Sequence, residues 1–129
     1  MLFALLCYHD EKKVASWTKE EDEAVLAKRD RITDRLRGEG RLGPAARLDY
    51  TATAATVRMG EEPLVTDGPF AETKEQLLGF YVIEVGSLDE AVALAKEIGR
   101  GESVTFEVRP LRLFRPGADV SLQSKTGAA

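Results

Sequence analysis

Residues 2–8, Leu-Phe-Ala-Leu-Leu-Cys-Tyr, form an unbroken apolar run of strand length. A run without alternation predicts a central strand covered on both faces. Thr18 followed by Glu21 is a capping box: the hydroxyl accepts an orphan backbone N–H and the carboxylate returns to the cap. A helix is predicted from there. Glu20, Glu21, Asp22 and Glu23 crowd its first turn, Arg35 and Arg37 its last, as the helix dipole favours, and Gly38 or Gly40 ends it. Val25, Ile32 and Leu36 fall on one side of a 3.6-residue wheel, with Arg29 at the edge of that stripe. The Thr, Ala and Val-rich stretch from about 48 to 59, the polar turn at 60–63 and Leu64-Val65-Thr66 predict a hairpin. Asp67-Gly68-Pro69-Phe70 then predicts a tight turn. Thr73-Lys74-Glu75-Gln76 imitates a helix cap, but the aromatic and β-branched residues that follow predict a strand from about Gly79 to Val85. Ser87 and Glu90 form another capping box, and Leu88, Ala91, Val92, Ala95 and Ile98 supply a helical stripe closing at Gly99. Val104 to Val108 alternates as a half-buried strand does.

Strand, helix, hairpin, strand, helix, strand is the order of an α+β protein with a ferredoxin-like split βαβ arrangement and an extra β-hairpin, its helices on one face of a mostly antiparallel sheet. Tyr81, Ile83 and Val85, with Val104, Phe106 and Val108, are expected to meet the helices. Phe80, Val82, Thr105, Glu107 and Arg109 are left on the open face. A sheet face exposing Phe and Val is an association surface, so a symmetric homodimer is expected.

The chain has 129 residues, enough for one domain and not for two independent cores; the domain is read as residues 1–114 and residues 115–129 as a disordered tail. A net charge of -4 without a basic block argues against nucleic acid. Cys7 is the single cysteine, which excludes an intrachain disulfide and fits a reducing compartment; it reads as a small buried apolar residue. The apolar opening lacks a basic flank and ends at His9-Asp10, so it reads as a strand and not a leader, and no run is long enough to span a bilayer. A cytoplasmic protein is expected, with neither membrane nor nucleic-acid partner. No dinucleotide, phosphate-loop, zinc-hydrolase, serine-hydrolase or CxxC pattern occurs, so no cofactor or metal is called for.

Thr66-Asp67-Gly68-Pro69-Phe70-Ala71-Glu72-Thr73-Lys74-Glu75-Gln76-Leu77, followed by Gly79-Phe80-Tyr81-Val82-Ile83, resembles the signature of the DGPF proteins, a branch of the YCII-related domain superfamily. Residues 53–58, 87–91 and 107–110 extend the resemblance over roughly residues 1 to 114. The resemblance implies a dimeric α/β-barrel of ferredoxin-like subunits. In the wider superfamily a His and Asp pair between sheet and helix is held to be catalytic, the His lying on the first helix. Here that helix has no His, and Arg29, which stays protonated, stands nearest the position.

The candidate residues each have a structural alternative. Asp67 either stabilises its turn or projects into a pocket as an acid, base or ligand group. His9 is a solvated strand end, or an acid/base partner for Asp67 if the two converge. Phe70 is a core anchor or a stacking platform, and Tyr81 packs in the core or lines a pocket. The leading expectation is a cleft for a small anionic molecule with weak acid/base chemistry, using His9 and Asp67 with Arg29, Phe70 and Tyr81 as ligand contacts. The other is a non-catalytic interaction module, accessory to a sigma factor, with a closed interior.

Overall fold

The computed structural model describes residues 1–120. Its elements are β1 (Leu2–His9), α1 (Glu11–Ala15), α2 (Lys19–Gly38), β2 (Leu42–Arg47), a 3₁₀ turn (Thr51–Thr53), β3 (Ala55–Arg58), β4 (Leu64–Asp67), β5 (Gln76–Glu84), α3 (Leu88–Ile98) and β6 (Thr105–Pro110). The main sheet has the order β2-β5-β1-β6, antiparallel at every junction. With α2 and α3 as the long crossovers, this mixed α+β architecture is compatible with the ferredoxin-like arrangement. β3 and β4 pair only with each other, as a separate hairpin.

β1 is the central strand because its apolar residues satisfy two neighbours at once. Leu5 stands between Tyr81 and Val108, and Cys7 between Gly79 and Phe106. Its burial alternates: Phe3, Leu5, Cys7 and His9 are buried, while Leu2, Ala4, Leu6 and Tyr8 are half-buried. Both faces are apolar, but only one is covered within the chain. That face meets Ile32 and Leu36 of α2 and Ala91, Leu94, Ala95 and Ile98 of α3, closing the core with Ile83 and Val85. Phe106 and Val108 pack against it as their alternation requires. The capping box at Thr18 and Glu21 is formed, and Ser87 caps α3 by accepting from the Glu90 backbone N–H.

Several expectations are corrected. β2, which contains Gly43-Pro44, is a strand that the sequence pattern does not predict. An edge strand tolerates proline, and the register shift between Leu42 and Ala45 accommodates both residues. Val82, expected to be exposed on the open face, is buried, because β2 crosses so near that a Cβ on Gly43 would lie 3.2 Å from its Cγ1. β5 begins at Gln76, three residues before Gly79. The predicted hairpin is real, but its first strand is only Ala55–Arg58. The expected disordered tail falls largely on residues 121–129, which lie outside the described residues; 115–120 contain no helix or strand.

Candidate functional site

Strand periodicity places Cys7 and His9, two residues apart, on the helix-covered face of β1. At that end the sheet opens away from α2. The register between β1 and β5 slips after Cys7, with Gly79 opposite Cys7 and Leu77 opposite Tyr8, so that Leu78 is the extra residue. Asp10 then caps a short helix, its side chain accepting from the Lys12 N–H, and turns the chain back over the gap. Glu11 ties this segment down: its N–H donates to Gln76 Oε1 at 2.9 Å, and its carboxylate accepts the Thr51 N–H at 3.0 Å. Between these parts lies a cavity of about 550 Å³. Cys7, His9, Trp17, Arg29, Leu78 and Tyr81 are among the side chains that line it, with Val25 and Leu26 from α2 and Ala45 to Arg47 from β2. A mainly apolar wall with a few convergent polar groups is the usual build of a small-molecule site.

Gly79 is required by this wall. A Cβ there would stand 2.6 Å from the Ala46 carbonyl oxygen. Gly79→Ala is therefore expected to push β2 from β5 and destabilise the protein by about 1–3 kcal/mol. The urea midpoint checks the cost, and Trp17 emission checks the cavity wall.

His9 is 5% exposed, contrary to a solvated strand end. Its ring meets the Trp17 indole edge to face, centroids 5.6 Å apart and planes at 89°. Nδ1 lies 3.3 Å from the Asp10 carbonyl oxygen. A carbonyl only accepts, so a hydrogen bond here needs the hydrogen on Nδ1. Among the described residues Nε2 has no protein partner.

Beside Cys7 stands a charge cluster. Arg29 Nε donates to Glu102 Oε2 at 3.0 Å and Nη2 to Glu102 Oε1 at 2.6 Å. Nη1 and Nη2 each lie 3.7 Å from Cys7 Sγ, and Nη1 donates to the Tyr81 hydroxyl oxygen at 3.4 Å. Lys28 Nζ also binds Glu102 and donates to the Arg100 carbonyl at 2.7 Å. The guanidinium carbon stands 5.7 Å from the Phe106 ring centroid. Burial is the strongest single influence on Arg29 and opposes its charge, but hydrogen bonding to Glu102 together with the charges of Cys7, Tyr81 and Glu102 outweighs it and holds the guanidinium above its ordinary range. Burial likewise works against the Glu102 carboxylate, yet hydrogen bonds from Arg29 and Lys28 hold it below the usual carboxylate range. Burial pushes the Cys7 thiol up, with Arg29 pulling the other way. Of these three charged groups only Arg29 lines the cavity, where Arg47 and Asp49 also lie.

Of the five residues singled out in the sequence, His9, Arg29 and Tyr81 line one cavity. Asp67 and Phe70 are outside its lining. Asp67 ends β4, a strand exposed at every residue, and Phe70 is 80% exposed, so it is not a core anchor within the chain. The turn between them is formed, with Gly68 at φ +89 and its N–H donating to the Ala54 carbonyl at 2.7 Å. Sequence reasoning missed Glu102, Lys28 and Trp17. The i, i+2 spacing of Cys7 and His9 was an available signal; Glu102, 73 residues from Arg29, offered none. Among the described residues no three His, Cys, Asp or Glu side chains gather closely enough to hold a metal ion, and no helix is long and apolar enough to cross a membrane.

Fold and cavity together define a small α+β protein with a hollow between an antiparallel sheet and its first long helix. The chain belongs to the YCII-related domain family, whose model matches residues 1–115. It is 50% identical over 120 residues to an uncharacterised protein of Rhizobium meliloti (strain 1021), a match covering 91% of this chain and 97% of that protein.

Proposed function

We propose that this is a cytoplasmic homodimer whose cavity binds a small, largely apolar molecule bearing an anionic group, with His9 acting on it as acid or base. The observation that carries the reading is the buried imidazole, whose Nε2 has no protein partner among the described residues, at the wall of a 550 Å³ hollow. A buried polar atom left unpaired is costly unless a ligand or water meets it. An interaction module accessory to a sigma factor would instead have side chains filling that space, and the hollow favours the cleft.

Two features support the dimer. Leu6, Tyr8 and Phe80 leave the second face of the main sheet half covered, and the hairpin exposes Val57, Met59, Leu64 and Val65 beside Phe70. A two-stranded hairpin is marginal alone, and a twin subunit is the cover proposed here. In this proposal the Asp67-Gly68-Pro69-Phe70 turn is the DGPF signature, and Asp67 and Phe70 keep a site role only by lying against the partner's cavity. Light scattering at micromolar concentration should give twice 14.2 kDa; a 14.2 kDa particle would contradict the dimer.

The ligand reading is tested by a thermal-shift screen of small carboxylates and phenols on the wild type and on Leu26→Trp, which fills the cavity. Selective compounds should raise the melting temperature of the wild type by mass action and leave Leu26→Trp unmoved. Equal shifts in both proteins, or none in the wild type, would overturn it.

A further inference from the structure

Arg29 is the obvious anion receptor of the cavity, yet its hydrogen-bonding capacity is spent. A guanidinium has five N–H donors. Here two go to Glu102, two face Cys7 Sγ, and the fifth goes to the Tyr81 hydroxyl oxygen. A ligand could engage Arg29 directly only by displacing one of these groups. Tyr81 is in the opposite condition. Its oxygen accepts from Nη1, and among the described residues its own O–H has no protein acceptor.

We infer that the Tyr81 hydroxyl is the group that recognises the ligand, donating to the carboxylate of a small monoanionic molecule with an apolar body. Arg29 is a positioning residue: held by Glu102, it fixes and polarises the Tyr81 hydroxyl without touching the ligand. A hydroxyl that accepts from a cation becomes a better donor, because hydrogen bonds in a chain strengthen one another. The Arg29 guanidinium directly behind that hydroxyl favours a carboxylate over a neutral acceptor at that point. The apolar wall from Val14, Val25, Leu26 and Leu78 takes the rest of the molecule. This assignment rests on the cavity being a ligand site.

Benzoate and its neutral counterpart benzyl alcohol are suitable probes. Trp17 is the only tryptophan of the chain and lines the cavity, so its emission reports occupancy. The wild type should bind benzoate more tightly than benzyl alcohol. Tyr81→Phe, which keeps the ring in place, should weaken benzoate about tenfold or more, the usual worth of a hydrogen bond to a charged group, and leave benzyl alcohol within about twofold. Arg29→Lys keeps the charge but loses the two-pronged hold on Glu102, and should remove part of the benzoate preference. Arg47, the other cation at the wall, is bound to Asp22, and Arg47→Gln should keep the preference. Wild-type benzoate affinity in Tyr81→Phe, or loss of preference in Arg47→Gln, would overturn the role of Tyr81 and leave the cavity reading standing. Failure of both probes to bind the wild type, if the thermal-shift screen also finds nothing, would overturn both.

Discussion

Glu102→Ala is expected to cost about 3–5 kcal/mol, the range found when one member of a buried ion pair is removed. The Glu102 side chain is 5% exposed and that of Arg29 13%, so the variant would strand a guanidinium and the neighbouring Lys28 ammonium with little water to replace the carboxylate. Against a total stability of about 5–15 kcal/mol, such a loss is a large share of what holds the fold. Replacing both partners by apolar residues, as in Arg29→Met with Glu102→Leu, should recover much of it, since neither charge is then buried. Urea unfolding of the two single variants and the double variant checks this. Acid adds a signed test. The carboxyl is held below its ordinary value of 4.5, so its stabilisation is complete above that value and is lost as pH falls through the lower folded value. The stability gap between wild type and Glu102→Gln should therefore narrow below about pH 4.5. A gap that stays constant to lower pH would show that Glu102 is not the ionised partner of Arg29.

Phe3→Ala should cost a similar amount, about 3–5 kcal/mol, for a different reason. Phe3 is 1% exposed, on the helix-covered face of β1, and stands in register with Ile83 and Pro110. Its loss removes buried apolar area and leaves a hole that the surrounding side chains fill only in part. Because Phe3 lies at the opposite end of β1 from His9, Trp17 emission in the folded variant should stay native-like while the urea midpoint falls. A loss below about 1 kcal/mol would mean that the core does not close around β1 as described.

The parts of the fold legible in the sequence are those whose physics is local. Thr18 with Glu21 and Ser87 with Glu90 mark helix starts because capping is decided within four residues. The apolar run of β1 marks a central strand, but its burial alternates and only one of the two expected faces is covered within the chain. β2 was hidden since Gly43-Pro44 is a breaker by local rules, and only its position at a sheet edge makes it harmless. α1 was hidden since five residues carry too little periodicity, and its stability comes from the Asp10 cap and the ties of Glu11 to Gln76 and Thr51.

The site divides the same way. His9, Arg29 and Tyr81 could be picked out by chemical type and by the face of their element. Glu102, which decides what Arg29 can do, follows α3 and reaches α2 only through the tertiary fold. Asp67 and Phe70 stand out in the sequence by their motif, yet a glycine and a proline in a tight turn explain that motif without reference to any pocket.

The most direct measurement is a crystal structure of the protein grown with benzoate. The account predicts density in the hollow between β1 and α2, its carboxylate within hydrogen-bond distance of the Tyr81 hydroxyl and its ring against the apolar wall. Trp17, Leu26 and Leu78 collapsed together over the space, with no density between His9 and Tyr81, would contradict it.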